Sequence, residues 1–115
     1  MKYKLYQIKD WENNPYIFRG FNTAKQNNFS LKDYEVVYEG EIEDGEVETV
    51  LEDFFTMFNV YHPRNFNGRS MSISDIVELE GEYYYTESFG FKKITDMCSW
   101  YIPPLLSLRN YITFC

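Results

Sequence analysis

Cysteine is scarce in this chain. Cys98 and Cys115 are the only two, they fit no C-x-x-C or metal-ligand spacing, and two thiols make no disulfide framework. Both are expected to be free in a reducing bacterial cytoplasm. Histidine is scarcer still: His62 stands alone, so the His/Cys sets that hold zinc cannot be assembled. The six glycines are scattered and form neither G-x-G-x-x-G nor a P-loop, which removes the usual phosphate cradles. Long apolar runs are missing too. Nothing approaches the ~20 uninterrupted residues of a membrane span, and the start, MKYKLYQIKDW, lacks the apolar core of a signal peptide. The apolar tail WYIPPLLSLRNYITFC is broken by Pro103-Pro104, and Cys115 is not in a prenylation motif.

The most informative absence is positional. From Asp33 to Pro63 there is no lysine or arginine, while ten acidic residues occur. Residues 1–32 hold Lys2, Lys4, Lys9, Arg19, Lys25 and Lys32 against Asp10 and Glu12. Within the overall net charge of −7, charge is therefore segregated. Such a chain does not suit broad duplex binding, where phosphate neutralisation supplies most of the affinity. It suits either a solvated face that keeps the protein soluble or a partner that is itself basic, such as a nucleic-acid-binding protein.

What the chain has in quantity is aromatic side chains: eleven Tyr, ten Phe and two Trp among 115 residues. That length fits one domain able to bury a core without metal or disulfide support, and rings carry large apolar area at low rotamer cost.

Periodicity sketches an α+β domain. KYKLYQI (2–8) reads as a strand, with Tyr6 and Ile8 on one face. Asn13-Asn14-Pro15 is turn chemistry, YIFRGF (16–21) a short strand, and NTAKQNN (22–28) either helix or loop. DYEVVYEGEI (33–42) alternates with Tyr34, Val36 and Tyr38 on one face, and Asp44-Gly45 closes it. EVETVLEDFFTMFNV (46–60) then changes period: Val47, Leu51, Phe54, Phe55 and Phe58 form the stripe of an amphipathic helix. Glu46 and Glu48 sit in its first turn, where carboxylates complement the helix dipole. GEYYYTESFGFKKI (81–94) predicts two strands around Ser88-Phe89-Gly90. The predicted fold is a small, mostly antiparallel, twisted sheet of about four to six strands packed on one main helix at about 46–60. Residues 1–94 make the domain. Residues 95–115 are an extension packed on it, with either an extended tail or a short final strand around Tyr111 to Phe114.

One segment fits no simple pattern: HPRNFNGRSMSISD (62–75). His62 with Ser70, Ser72, Ser74 and Asp75 has the residue types of a hydrolase triad, but no G-x-S-x-G elbow is present, and sequence neighbours rarely converge as a triad. Arg64 and Arg69 flank Phe66, which suggests a grip on phosphate or base, next to the aromatic strand Tyr83-Tyr84-Tyr85. A carboxylate-only cation site at Glu41, Glu43 and Asp44 has no EF-hand spacing behind it. The plain structural reading is a turn at Asn67-Gly68, then a half-polar strand in which Ser70, Ser72 and Ser74 alternate with Met71 and Ile73. Ser74 then caps a short helical turn at Asp75–Glu78.

The order YQI, VYEG, LEDFFTMFN, HPRNFNGRSMSISDIVEL and YYYTESFGF resembles the YodL-like domain family over about residues 3–94. Its most specific part is His62-Pro63, Phe66, Gly68, Ser70, Ser72, Ser74-Asp75 and Val77. The family pattern commonly has Asp where Asn65 stands and His where Arg69 stands, which removes support for an acid and a base acting together here. The resemblance implies a small accessory protein of Gram-positive bacteria and their phages or mobile elements, working in the host cytoplasm without enzymatic activity or cofactor. By analogy of ecology alone, such proteins act on host proteins, restriction or CRISPR effectors among them.

The leading expectation is a non-enzymatic protein-binding module whose carboxylates mimic nucleic acid and inhibit a host defence nuclease. Its contact residues would be Glu39, Glu41, Glu43, Asp44, Glu46, Glu48, Glu52 and Asp53. The alternatives are a nucleic-acid or nucleotide module using Arg64, Phe66 and Arg69 beside Tyr83-Tyr84-Tyr85, with His62 as a further candidate contact in the same loop, and a hydrolase centred on His62.

Overall fold

The computed structural model describes residues 1–61 and 63–94. His62, Cys98, Cys115 and the extension 95–115, expected as either an extended tail or a short final strand, lie outside the described residues. Five strands form one antiparallel sheet: β1 (Lys2–Ile8), β2 (Tyr34–Glu41), β3 (Ile76–Leu79), β4 (Glu82–Thr86) and β5 (Phe91–Lys93). Their spatial order is β2-β1-β3-β4-β5, so among the described residues β2 and β5 are the edges. The main helix, α2 (Val47–Asn59), packs on one face; a short helix, α1 (Phe21–Gln26), lies with the connection after β1 on the other.

Alternation along the strands explains the two layers. Tyr3 and Leu5 of β1, with Val77 and Leu79 of β3, meet Val50, Leu51, Phe54 and Phe58 of α2. The Tyr3 and Phe54 ring centroids are 4.5 Å apart. On the opposite face Ile8, Tyr34, Ile76 and Tyr85 meet Tyr16, Phe21, Ala24 and Ile94. This second cluster fills only the end of the sheet where β1 finishes. Among the described residues most aromatic side chains thus lie in the core or against it, divided between two faces.

Several local expectations are corrected. Residues 16–21 form no strand: Asn14 Oδ1 accepts from Tyr16 N at 2.8 Å, and Phe18 takes φ 64°, a left-handed value that breaks a strand. α1 follows, starting at Phe21. In β2 the register slips, with Leu5 opposite Tyr38 and Tyr6 opposite Val36. Val37 is the extra residue of a β-bulge, so Tyr38 turns toward α2 while Tyr34 and Val36 face the other way. In α2 the buried stripe uses Val50, and Phe55 is 42% exposed. Residues 70–75 form no strand, and no helical turn follows Ser74: residues 76–79 are β3. β3 and β4 join through Glu80-Gly81, both at positive φ (51° and 85°), the geometry of a tight hairpin turn.

Candidate protein-binding surface

The acidic run spans the outer part of β2, the connection after it and the outer face of α2. All eight of its carboxylates, Glu39, Glu41, Glu43, Asp44, Glu46, Glu48, Glu52 and Asp53, are exposed. Asp44 lies 3.2 Å from the N-terminal ammonium. Among the described residues none of the other seven makes an ion pair. Fixed backbone carries five of them: a strand paired along its inner side holds Glu39 and Glu41, and a helix held by Leu51, Phe54 and Phe58 in the core holds Glu48, Glu52 and Asp53. Glu43, Asp44 and Glu46 lie in the connection between the two. The surface therefore presents negative charge with little reorganisation on binding.

Beside it, the uncovered end of the sheet forms an open groove of about 660 Å³, lined by Lys2, Lys4, Glu39, Glu41, Glu78 and Glu80 with Gly40 and Gly81. Lys2 and Lys4 stand opposite Glu41 and Glu39 across the β1–β2 ladder, and Lys4 also stands opposite Glu78 of β3. Sequence reasoning did not select Lys2, Lys4, Glu78 or Glu80. Their signal was the spacing K-x-K and E-x-E, which puts like charges on one face of adjacent strands.

The segment after His62 is arranged differently. Two side-chain amides tie it down. Gln7, 2% exposed, donates to Arg69 O at 2.8 Å and accepts from Arg69 N at 2.9 Å. Asn59, at the end of α2, accepts from Met71 N at 2.6 Å and donates to Met71 O at 3.1 Å. These clamps pair the backbones of Arg69 and Met71 with side chains in place of a neighbouring strand. Gly68 is where the chain crosses Gln7 and Phe66; a Cβ there would come within 2.7 Å of Gln7 Oε1. Phe66 packs against Phe58 with centroids 5.0 Å apart.

Asp75 closes the corner. Its Oδ2 accepts from Gln7 Nε2 and from Ser72 N, both at 3.0 Å. Its Oδ1, Thr86 Oγ1 and Arg69 Nη1 are buried without a partner. Burial pushes the Asp75 carboxyl up to about 7, opposed by the Ser72 and Gln7 hydrogen bonds and by the Arg69 charge. Ser74, at φ 85°, accepts from Phe18 N at 3.0 Å through Oγ, and its carbonyl accepts from Tyr34 Oη at 2.7 Å.

The residues proposed for nucleic-acid contact are placed in unlike settings. Arg64 is exposed in a turn. Arg69 is partly buried, donating to Ile8 O at 3.1 Å with its guanidinium 5.8 Å from the Phe18 ring centroid. Phe66 is half-buried against the core. Tyr84 points to the α2 face while Tyr83 and Tyr85 point to the other, so the three tyrosines do not form one stacking platform. His62 lies outside the described residues, and Ser72 and Ser74 are engaged with the corner itself. No group of three or more His, Cys, Asp or Glu suited to a metal ion occurs among the described residues. No described helix is long and apolar enough to cross a membrane.

Comparison with known proteins gives one positive result: a family model described as the YodL-like domain matches residues 2–97. No curated protein and no solved structure matches.

Proposed function

The chain belongs to the YodL-like domain family, and from that membership together with its acidic surface we propose that it is a non-enzymatic protein-binding module. The partner is a basic, nucleic-acid-binding host protein, and the sharpest form of the proposal is inhibition of a restriction or CRISPR nuclease by occupation of its phosphate channel. One observation carries the reading: eight exposed carboxylates, from Glu39 to Asp53, sit on a strand, a helix anchored in the core and the short connection between them. A channel that binds phosphates by charge and hydrogen bonding offers the same groups to carboxylates, and complementary potential steers such partners together. Most of the described aromatic side chains belong to the two core clusters or pack against them, while Trp11, Phe18, Phe55, Tyr61 and Phe89 stand exposed.

The test uses purified effectors. Association is measured by calorimetry with a panel of Cas and restriction nucleases, for the wild type and for E41K/E43K/D44K. These three residues are exposed, so the triple variant is expected to keep its fold and to lose at least ~100-fold in affinity. If no effector associates, or if charge reversal leaves affinity unchanged, mimicry is wrong.

A further inference from the structure

The backbone beside the acidic surface has unpaired hydrogen-bonding groups. Glu80 N donates to Lys2 O at 3.0 Å, so the backbone of Lys2 points toward β3. Ile42 N donates to Met1 O at 2.9 Å, so the backbone of Met1 points toward β2. Antiparallel ladders alternate hydrogen-bonded and non-bonded pairs. Tyr3–Gly40 and Leu5–Tyr38 are therefore the bonded pairs, while Lys2–Glu41 and Lys4–Glu39 are not. It follows that N–H and C=O of Glu39 and Glu41 point outward, away from β1. Among the described residues nothing pairs with them.

We propose that this outer edge of β2, from Tyr38 to Ile42, takes up a short extended segment of the partner as a sixth strand, and that the segment alternates basic and apolar side chains. The proposal rests on the protein-binding reading and specifies how the partner is held. Three features fix the occupant's chemistry. The bulge at Val37 interrupts the ladder, which limits the usable edge to about five residues. On one face of that stretch Glu39 and Glu41 border the open groove, so every second side chain of an added strand meets carboxylates. On the other face Tyr38 and Ile42 are partly buried against the α2 cluster, so the intervening side chains meet apolar surface. A second copy of the chain is disfavoured at this edge, because it would bring Glu39 and Glu41 against their own kind.

The experiment uses the full chain and a capped peptide of alternating lysine and valine, seven residues long. Two control peptides have alternate amides N-methylated, one in each register, and a third has glutamate in place of lysine. Binding is read by fluorescence anisotropy, and amide exchange at Glu39 and Glu41 by nuclear magnetic resonance. The expected result is saturable binding of the lysine–valine peptide with exchange at Glu39 and Glu41 slowed at least ~10-fold. One N-methylated register and the glutamate peptide should not bind.

Glu39→Pro, which removes an outward N–H that the sheet does not use, should abolish binding while circular dichroism stays unchanged. Binding that tolerates both N-methylated peptides and leaves exchange unaltered would overturn strand addition yet leave the acidic-surface reading standing. Slow exchange at Glu39 and Glu41 in the free protein would also overturn it, since the edge would then already be covered. Failure of the peptide to bind at all overturns strand addition, whereas the effector measurements decide the acidic-surface reading separately.

Discussion

Replacing Asp75 with asparagine should flatten a pH dependence built into the core of the fold. The carboxyl is 1% exposed, so solvent does not screen it, and burial raises its folded-state value to about 7. An unfolded aspartate titrates near ~3.9. Because the folded value is the higher one, the neutral acid is the form the fold prefers. This group's contribution to stability is fully present below pH ~4 and declines as pH rises through ~7, where both states are ionised. About three pH units at ~1.4 kcal/mol each give a loss of ~4 kcal/mol across that window. An asparagine side chain at this position cannot ionise, and its Oδ1 can still accept from Gln7 Nε2 and Ser72 N as Asp75 Oδ2 does.

Urea unfolding of wild type and D75N at pH 4.5, 6, 7 and 8 isolates the effect, because other carboxylates cancel in the difference. D75N should gain on the wild type by ~3 kcal/mol between pH 4.5 and 8. Parallel curves, constant to within ~0.5 kcal/mol, would refute the reasoning, since Asp75 would then have the same ionisation in folded and unfolded chains.

Three other perturbations probe the fold. Phe54→Ala should cost ~3–5 kcal/mol in urea unfolding, because Phe54 is fully buried against Tyr3, while Phe55→Ala should cost under ~1 kcal/mol; equal costs would mean the helix is rotated. Gln7→Leu should cost ~2–4 kcal/mol, with faster amide exchange at Arg69, because it leaves both Arg69 backbone groups and Asp75 short of a partner. Gly81→Val should cost ~1–2 kcal/mol through backbone strain alone, since φ is 85° and no atom lies near the added Cβ; Gly81→Asn should be tolerated better.

The sequence made the layers legible and hid the corner. Helix 47–59 was readable because Leu51, Phe54 and Phe58 repeat at helical spacing. Strands 2–8, 34–41, 82–86 and 91–93 were readable from alternation and from the Ser88-Phe89-Gly90 turn. The bulge was not, because an extra Val37 between Val36 and Tyr38 leaves the local pattern looking regular. Residues 70–75 mimic a strand pattern in sequence, but the chain here is held at Arg69 and Met71 by the side chains of Gln7 and Asn59 rather than by a neighbouring strand, and the alternation ends at Ser74, which is buried. Gln7 was the available clue: a strand placing Tyr3 and Leu5 inward puts a polar amide inward at position 7. For the site, the carboxylates were visible as a charge run. The groove and the open edge were not, since both depend on which strands become neighbours.

Displacement tests most directly whether the acidic surface replaces nucleic acid on a basic partner. A labelled oligonucleotide is bound to each nuclease of the panel, and its anisotropy is followed as the protein is added. At least one nuclease should release its oligonucleotide stoichiometrically, and E41K/E43K/D44K should release none at the same concentration. Retention of the oligonucleotide by every nuclease, or equal release by wild type and triple variant, would contradict the proposed replacement.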